Sequence, residues 1–585
     1  MNTSEKLNLL REKMKERALD AYYIPSADPH MSEYLPENYK TRQFMSGFTG
    51  SAGTLLVLQD SAYLWTDGRY FIQAEAQLAG SSITLQKMGQ AGVPKLEDFL
   101  AKRFEKGGRI GTDGKTLSVS AFKTFTEKAP KLEFITDLDL VGEIWTERPQ
   151  AVASQAFILE EKYTGERASS KLSRLRKLLN DNGFDATIIC SLDDICYLYN
   201  IRAADVHCNP VLTSYAFVDA EQAYLFVNKA QVSDTVQKDL QAEGISILPY
   251  EEIFSEAEKI RGSILLDPAT TNFLLFSKIK AKVTLDASYT VKMKAQKNKT
   301  EIENIRKTML IDGVAMAKFL FWLSQHADKG IRECDAVQKL HEFRAEGAGY
   351  ISESFDTIAG YAENAAIVHY APVKDRDKKL EAKGMLLLDS GAQYMSGTTD
   401  ITRTIPLGKL SDAERIDYTL VLKSHINLAL AKFKAGVTGF ALDTLARAPL
   451  WAAGKDFNHG TGHGVGFVLS VHEGPQSISQ RYYNVPFEEG MITSNEPGIY
   501  IAGKYGIRIE NLTLCVKDKK TTFGEFFRFE TLTICPISTE AVKKDLLNAQ
   551  EIAWLNEYNE HCYRQLAPHL NDAEKTFLKE ACKAI

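Results

Sequence analysis

Residues 385–404 read MLLLDSGAQYMSGTTDITRT, and two strands can be traced in them. Met385-Leu386-Leu387-Leu388-Asp389 is an apolar run that closes on a carboxylate, and 398–404 alternates with the period of a half-buried strand. A turn near Tyr394 to Gly397 makes these strands neighbours, so Asp389 and Asp400 approach each other across a hairpin. Two bare carboxylates that close repel each other unless cations lie between them. A lone acid at a strand end is ordinarily a turn or cap residue, so the weight rests on further ligands downstream.

His459-Gly460-Thr461-Gly462-His463-Gly464-Val465-Gly466 comes next. Two histidines four residues apart suggest a helical zinc site, but four alternate glycines disfavour a helix, so both imidazoles belong on a tight strand or loop. Val471-His472-Glu473-Gly474-Pro475 follows, then Ile492-Thr493-Ser494-Asn495-Glu496-Pro497-Gly498 and Gly506-Ile507-Arg508-Ile509-Glu510-Asn511. Glu496 ends one strand, and Arg508 and Glu510 share the face opposite Ile507 and Ile509. With the Asp pair and His463, one sheet offers five ligands. Two divalent ions and a bridging hydroxide match the charge of four carboxylates, and oxygen donors with one imidazole favour manganese, cobalt or iron over a thiolate-type zinc site. Such a pair of ions acidifies a bridging water and polarises a scissile carbonyl, which is the chemistry of hydrolysis. Asp389-Ser390-Gly391 also matches the aspartic-protease triplet, but that mechanism needs a second one, and the chain has none.

Outside these blocks the chain reads as an ordinary globular protein. Its 585 residues are enough for two to four domains, with 44% hydrophobic and 25% charged residues. A net charge of −6 gives no basic excess for nucleic acid. The most apolar stretch, Val314 to Leu323, is broken by Lys318 and is too short for a membrane span. The first residues form an amphipathic helix rather than a signal core, and the 8 cysteines include no CxxC pair, so reduced thiols and a cytoplasmic protein are expected. The front half is duplicated: Leu19-Asp20-Ala21 and the strand after it recur at Phe184-Asp185-Ala186, 165 residues on. Breaks at Glu147-Arg148-Pro149 and in the Lys-rich 292–299 then define two related α/β domains, 1–150 and 151–295. The third region, 296–585, is α+β with an antiparallel sheet, a long first helix from Thr300 to His326 and a helical tail from about Glu540.

The order Asp389, Asp400, His463, Glu496, Glu510, set in DSGAQYMSGTTDITRT, HGTGHGVG, SNEPGIY and GIRIEN, resembles the metal site of the pita-bread metallopeptidases. Within them the chain is most similar to the long, three-domain cytosolic Xaa-Pro aminopeptidases; Tyr163-Thr164-Gly165, Asp205-Val206 and Asn209-Pro210 add to the likeness. The resemblance implies two creatinase-like α/β domains ahead of a pita-bread catalytic domain with a curved antiparallel sheet. It implies two divalent metal ions, Mn2+ first, with Co2+, Fe2+ and Zn2+ as alternatives. Asp389 would bind one, His463 and Glu496 the other, with Asp400 and Glu510 bridging. His369, in Val368-His369-Tyr370-Ala371-Pro372, would line the substrate site with His459 and His472. Arg508 would orient a bridging carboxylate or the substrate, and Glu496 would shuttle the proton. The implied activity is hydrolysis of the N-terminal bond of peptides with proline second, by a homodimer joined through the catalytic domain.

That bond is a tertiary amide without an N–H, so the enzyme needs a slot for the pyrrolidine ring and an acid for the leaving nitrogen. A prolidase-type dipeptidase shares the ligands but usually has one N-terminal domain, against which the duplication counts. Methionine aminopeptidases lack so long a leader, creatinase-like enzymes lack the metals, and a metal-free peptide-binding module of the same fold should have lost ligands. Asp67-Gly68-Arg69-Tyr70 reads as a turn with a surface arginine, and Cys208 has no assigned role.

Overall fold

The computed structural model describes residues 1–585. By contacts it divides into two compact units, one of Met1–Glu161 with Glu166–Val291 and one of Lys162–Gly165 with Lys292–Ile585.

In the first unit the helix Thr3–Glu16 starts at Asn2, whose side chain and that of Glu5 cap each other's backbone N–H groups, and it buries Leu7, Leu10 and Met14. Its sheet has six strands in the order 83–87, 62–66, 54–58, 21–25, 108–111, 132–135. A second six-stranded sheet repeats that order as 246–249, 223–227, 214–219, 186–189, 263–266, 282–285. Both pair antiparallel through the central hairpin and parallel toward the edges. The duplication seen in the sequence is thus a repeated topology, with Ala21 and Ala186 opening equivalent strands. Buried His30 joins the repeats through the Cys190 carbonyl and the Tyr250 hydroxyl, each at 2.8 Å. Arg69 donates to Asp67 through Nε and Nη2, both at 2.8 Å.

The second unit opens with the helix Lys299–His326, capped by Asn298 and Glu301. Strands 358–361, 385–390 and 401–406 form one antiparallel sheet, in which Asp389 lies opposite Thr402. A six-stranded antiparallel sheet runs 432–434, 524–531, 511–521, 492–495, 462–464, 473–478. Short ladders 350–353/392–394/397–398 and 498–501/505–508 connect the parts. Helices Asp412–Ala429 and Gly439–Ala452 pack together, and Ala549–Leu566 and Asp572–Ala581 close the chain. All eight cysteines are free thiols, and no helix is long and apolar enough to cross a membrane.

One expectation changes in detail. Residues 398–404 and 506–511 read as unbroken strands, yet each is interrupted where the chain passes from one sheet to another. Asp400 stands between 397–398 and 401–406, Glu496 between 492–495 and 498–501, and Glu510 between 505–508 and 511–521. At these crossings the backbone leaves its ladder and bonds elsewhere: Glu510 N–H donates to Thr402 O at 3.1 Å and Glu496 N–H to Thr461 O at 2.8 Å.

Candidate metal centre

Three acids at sheet crossings, one at a strand end and one imidazole converge. Ligand atoms of Asp400, His463 and Glu510 lie within 4.8 Å of one another. His463 Nε2 is 3.4 Å from Asp400 Oδ2 and 3.6 Å from Glu496 Oε1. The glycines beside His463 are required by close packing: a Cβ on Gly462 would fall 2.0 Å from the Ser494 carbonyl oxygen, and one on Gly464 would fall 2.4 Å from that of Glu473. His463 Nδ1 faces the Gly464 carbonyl at 2.8 Å, which fixes the proton there and leaves Nε2 for the acids.

Asp389 is held from one side only. Arg508 donates to its Oδ2 through Nη2 at 2.6 Å and Nε at 3.2 Å, while Oδ1 is buried with no hydrogen-bond partner. The Thr402 hydroxyl accepts from Arg508 Nε at 3.2 Å and donates to Glu510 Oε2 at 2.7 Å, tying two of the acids together. Arg508 Nη1 donates to the Tyr500 hydroxyl at 2.5 Å, which lies 2.8 Å from His459 Nε2. Because His459 Nδ1 faces the Gly460 carbonyl at 2.7 Å, an acceptor only, Nδ1 carries the proton and Nε2 receives that of Tyr500.

The other two histidines are half-buried. His472 packs edge-to-face on His463 with ring centres 4.4 Å apart. Half-buried His369 follows Val368, whose carbonyl accepts from Arg508 Nη2 at 3.3 Å.

Without cations Asp389, Glu496 and Glu510 are pushed toward their protonated forms. Burial, with Asp400 and Asp389 adding to it against His463 and Arg508, pushes Glu496 up to about 7. Glu510 is driven well above the carboxylate range by burial and then by Asp400, Asp389 and Glu496. Asp389 is raised by burial despite Arg508. Burial alone would lower His463, but Asp400 and Glu496 outweigh it and lift the imidazole to about 9. Such a cluster is satisfied by positive charge, and the unpartnered Asp389 Oδ1 is a ready donor to it.

Three neighbours escaped the reading of the sequence. Thr402 and Tyr500 lie inside the quoted motifs but carry no signal of their own. His425, fully buried on helix 412–429, donates through Nδ1 to Asn495 O at 3.0 Å and accepts from Asn511 Nδ2 at 3.1 Å, pinning the residues next to Glu496 and Glu510.

Residues 303–517 match the model of metallopeptidase family M24 and 525–585 its C-terminal region, while 6–143 and 147–301 each match a creatinase/prolidase N-terminal domain. Aminopeptidase P2 of Arabidopsis thaliana is 41% identical, over 97% of this chain and 86% of its own. The X-prolyl aminopeptidase of Caenorhabditis elegans, a cytosolic enzyme with a di-nuclear active site, matches 100% of both chains with a TM-score of 0.95 and 37% identity. A prolidase from Pyrococcus horikoshii covers 63% of this chain and 99% of its own, with a TM-score of 0.51 and 25% identity. With relatives of this identity along its whole length, the chain belongs to metallopeptidase family M24, in the aminopeptidase P group that carries two creatinase/prolidase-type domains ahead of the peptidase domain.

Proposed function

We propose that the protein is a metal-dependent aminopeptidase that releases the first residue of peptides whose second residue is proline, with Asp389, Asp400, His463, Glu496 and Glu510 holding two divalent ions. The observation that carries this reading is the clustering of Asp400, His463 and Glu510, with Glu496 3.6 Å from His463 and Asp389 tied to Glu510 through Arg508 and Thr402, in a chain alignable from end to end with a relative that has a di-nuclear site. The donor set suits hard cations: four carboxylates, one imidazole and an unpartnered Asp389 oxygen. Manganese is our first choice, with cobalt, iron and zinc behind it. Ions bound there would polarise the scissile carbonyl and lower the pKa of water.

The chain's own residues supply the rest. Glu496 takes a proton at its carboxylate and returns it to the departing proline nitrogen, which carries no N–H of its own. Arg508 fixes Asp389 from behind and holds Tyr500, which is oriented in turn by His459. His369, His459 and His472 form the imidazole lining of the substrate side. We divide the chain into domains 1–150, 151–295 and 296–585, and assign it to the cytoplasm, a reading supported by eight free thiols and a cytosolic relative. A homodimer through the catalytic domain belongs to the same proposal; Phe440 and Trp451 stand exposed on one side of helix 439–452, with Tyr482 against Phe440.

The test is hydrolysis after EDTA treatment and manganese add-back, with an Xaa-Pro-Xaa tripeptide, an Xaa-Pro dipeptide and a Met-Ala peptide. Manganese should restore release of the first residue from the tripeptide and leave the other two much slower. Preference for the dipeptide would make the protein a prolidase, and no cleavage with or without metal would make it a binding module.

A further inference from the structure

Glu473 stands directly after His472 and is where the entry segment of the peptidase unit is anchored. Lys294 donates to Glu473 Oε2 at 3.0 Å, and Lys297 donates to Oε1. All three side chains are buried, those of Glu473 and Lys297 to 1% exposure. A buried carboxylate bonded by two ammonium groups is costly to leave half-made, so the triplet holds residues 294–297 and the strand Glu473–Ile478 in one fixed arrangement. The entry segment is itself pinned, with Lys297 N–H on Gly490 O at 3.0 Å and Gln296 Nε2 on Glu488 at 2.5 Å. From the other side the Glu473 backbone presses on Gly464, its strand partner, where no Cβ would fit. Side chain and main chain of Glu473 are therefore both fixed. One residue away, the His472 ring rests on His463. At Gly474, the next residue, a side chain would meet only open space.

We infer that Glu473 is a positioning residue, whose ion pairs with Lys294 and Lys297 set His472 in place against His463. The inference rests on the reading that His472 faces the substrate. It explains why a buried triplet with an excess of positive charge is tolerated beside the site, where an apolar contact would hold the strand at less cost. It also joins the first residues of the peptidase unit to the imidazole lining.

The test is a double-mutant cycle on the full-length, manganese-loaded enzyme with an Xaa-Pro-Xaa tripeptide. Glu473→Gln keeps the shape and removes the charge; Lys297→Met breaks the triplet from the other end and serves if the first variant does not fold. Each should lower kcat/KM by about 10–100-fold, the usual effect of loosening a group behind a metal site, with manganese content unchanged. In a His472→Ala background either should cost less than about 2-fold, because the path through His472 is already gone. A crystal structure of the Glu473→Gln variant should show the His472 ring displaced from its packing on His463. Losses that multiply in the His472→Ala background, or a His472 ring that keeps its 4.4 Å edge-to-face contact in that structure, would overturn the inference. Should His472→Ala alone leave the rate unchanged, the substrate role of His472 fails, and the crystal structure still decides for or against the clamp.

Discussion

Thr402→Val removes one hydroxyl from behind the metal centre and little else. Thr402 is fully buried, its carbonyl keeps the bond from Glu510 N–H, and Arg508 Nε keeps Asp389 Oδ2 at 3.2 Å. What disappears is the 3.2 Å bond accepted from Arg508 Nε, which still has Asp389, and the 2.7 Å donation to Glu510 Oε2, which has no replacement. A hydrogen bond to a charged group contributes about 1.5–3 kcal/mol. For Glu510 it acts in one direction: burial and the neighbouring acids drive the carboxyl to hold its proton, and Thr402 opposes them. Without the hydroxyl, a cation must displace a more tightly held proton. The lost bond converts to roughly 10- to 150-fold weaker manganese binding at neutral pH, at 1.4 kcal/mol per factor of ten. Manganese titration of EDTA-stripped protein, by calorimetry and by tripeptide hydrolysis, should show that rise in the half-saturating concentration. Turnover at saturating metal should stay within a few-fold of wild type, and the deficit should shrink as pH rises and proton competition fades. Unchanged affinity, or a loss of turnover that saturating manganese does not repair, would refute the reasoning.

Gly462→Ala sets a methyl 2.0 Å from the Ser494 carbonyl, a backbone atom that cannot yield; urea unfolding should show about 1–3 kcal/mol lost, and wild-type stability would contradict the close approach. Arg508→Lys replaces a fork that reaches Asp389 twice and Tyr500 once with a single point donor. We expect kcat/KM on the tripeptide to fall about 10–100-fold, and a wild-type rate would show that the fork does not orient Asp389. Burial, aided by Arg403, depresses His425 to about 3, so the folded protein keeps it neutral while the unfolded chain takes up a proton below pH ~6.5. Its contribution is therefore present above that pH and is lost on acidification by up to ~1.4 kcal/mol per unit, or about 2 kcal/mol from pH 6.5 to 5; urea unfolding at the two values should show a shallower acid slope in His425→Gln, and equal slopes would refute a neutral His425.

The ligands were legible because their surroundings are. An apolar strand ending in Asp389, glycines on both sides of His463, and proline and glycine after Glu496 are local signals, each confined to a few residues. The repeat was legible for a similar reason, since a six-stranded topology used twice leaves the same helix-to-strand join at Ala21 and Ala186. The interruptions were not, because period-two alternation persists when a chain changes sheets: Thr398 to Thr404 and Gly506 to Asn511 alternate straight through Asp400 and Glu510. Only the hydrogen bonds reveal the crossing, as where Glu510 N–H turns to Thr402 O. Supporting residues were hidden by distance along the chain. Thr402 meets Glu510 108 residues away, His425 meets Asn495 70 away, and Lys294 meets Glu473 179 away.

These hidden features are also what turn a sheet into a site. Acids spaced along one regular strand face would stay about two residue rises apart and repel only weakly through solvent. The crossings instead gather Asp400, Glu496 and Glu510 from three turns of chain into a buried space, where burial and mutual repulsion push Glu496 and Glu510 toward their protonated forms. The groups that hold the crossings closed, Thr402, Arg508 and the His425 pair of asparagine contacts, therefore work against the electrostatics of the metal-free protein. Divalent cations reverse the sign of that repulsion, so the strain held in the fold and the affinity for metal are two measures of one arrangement, and a residue that loosens the first must also weaken the second.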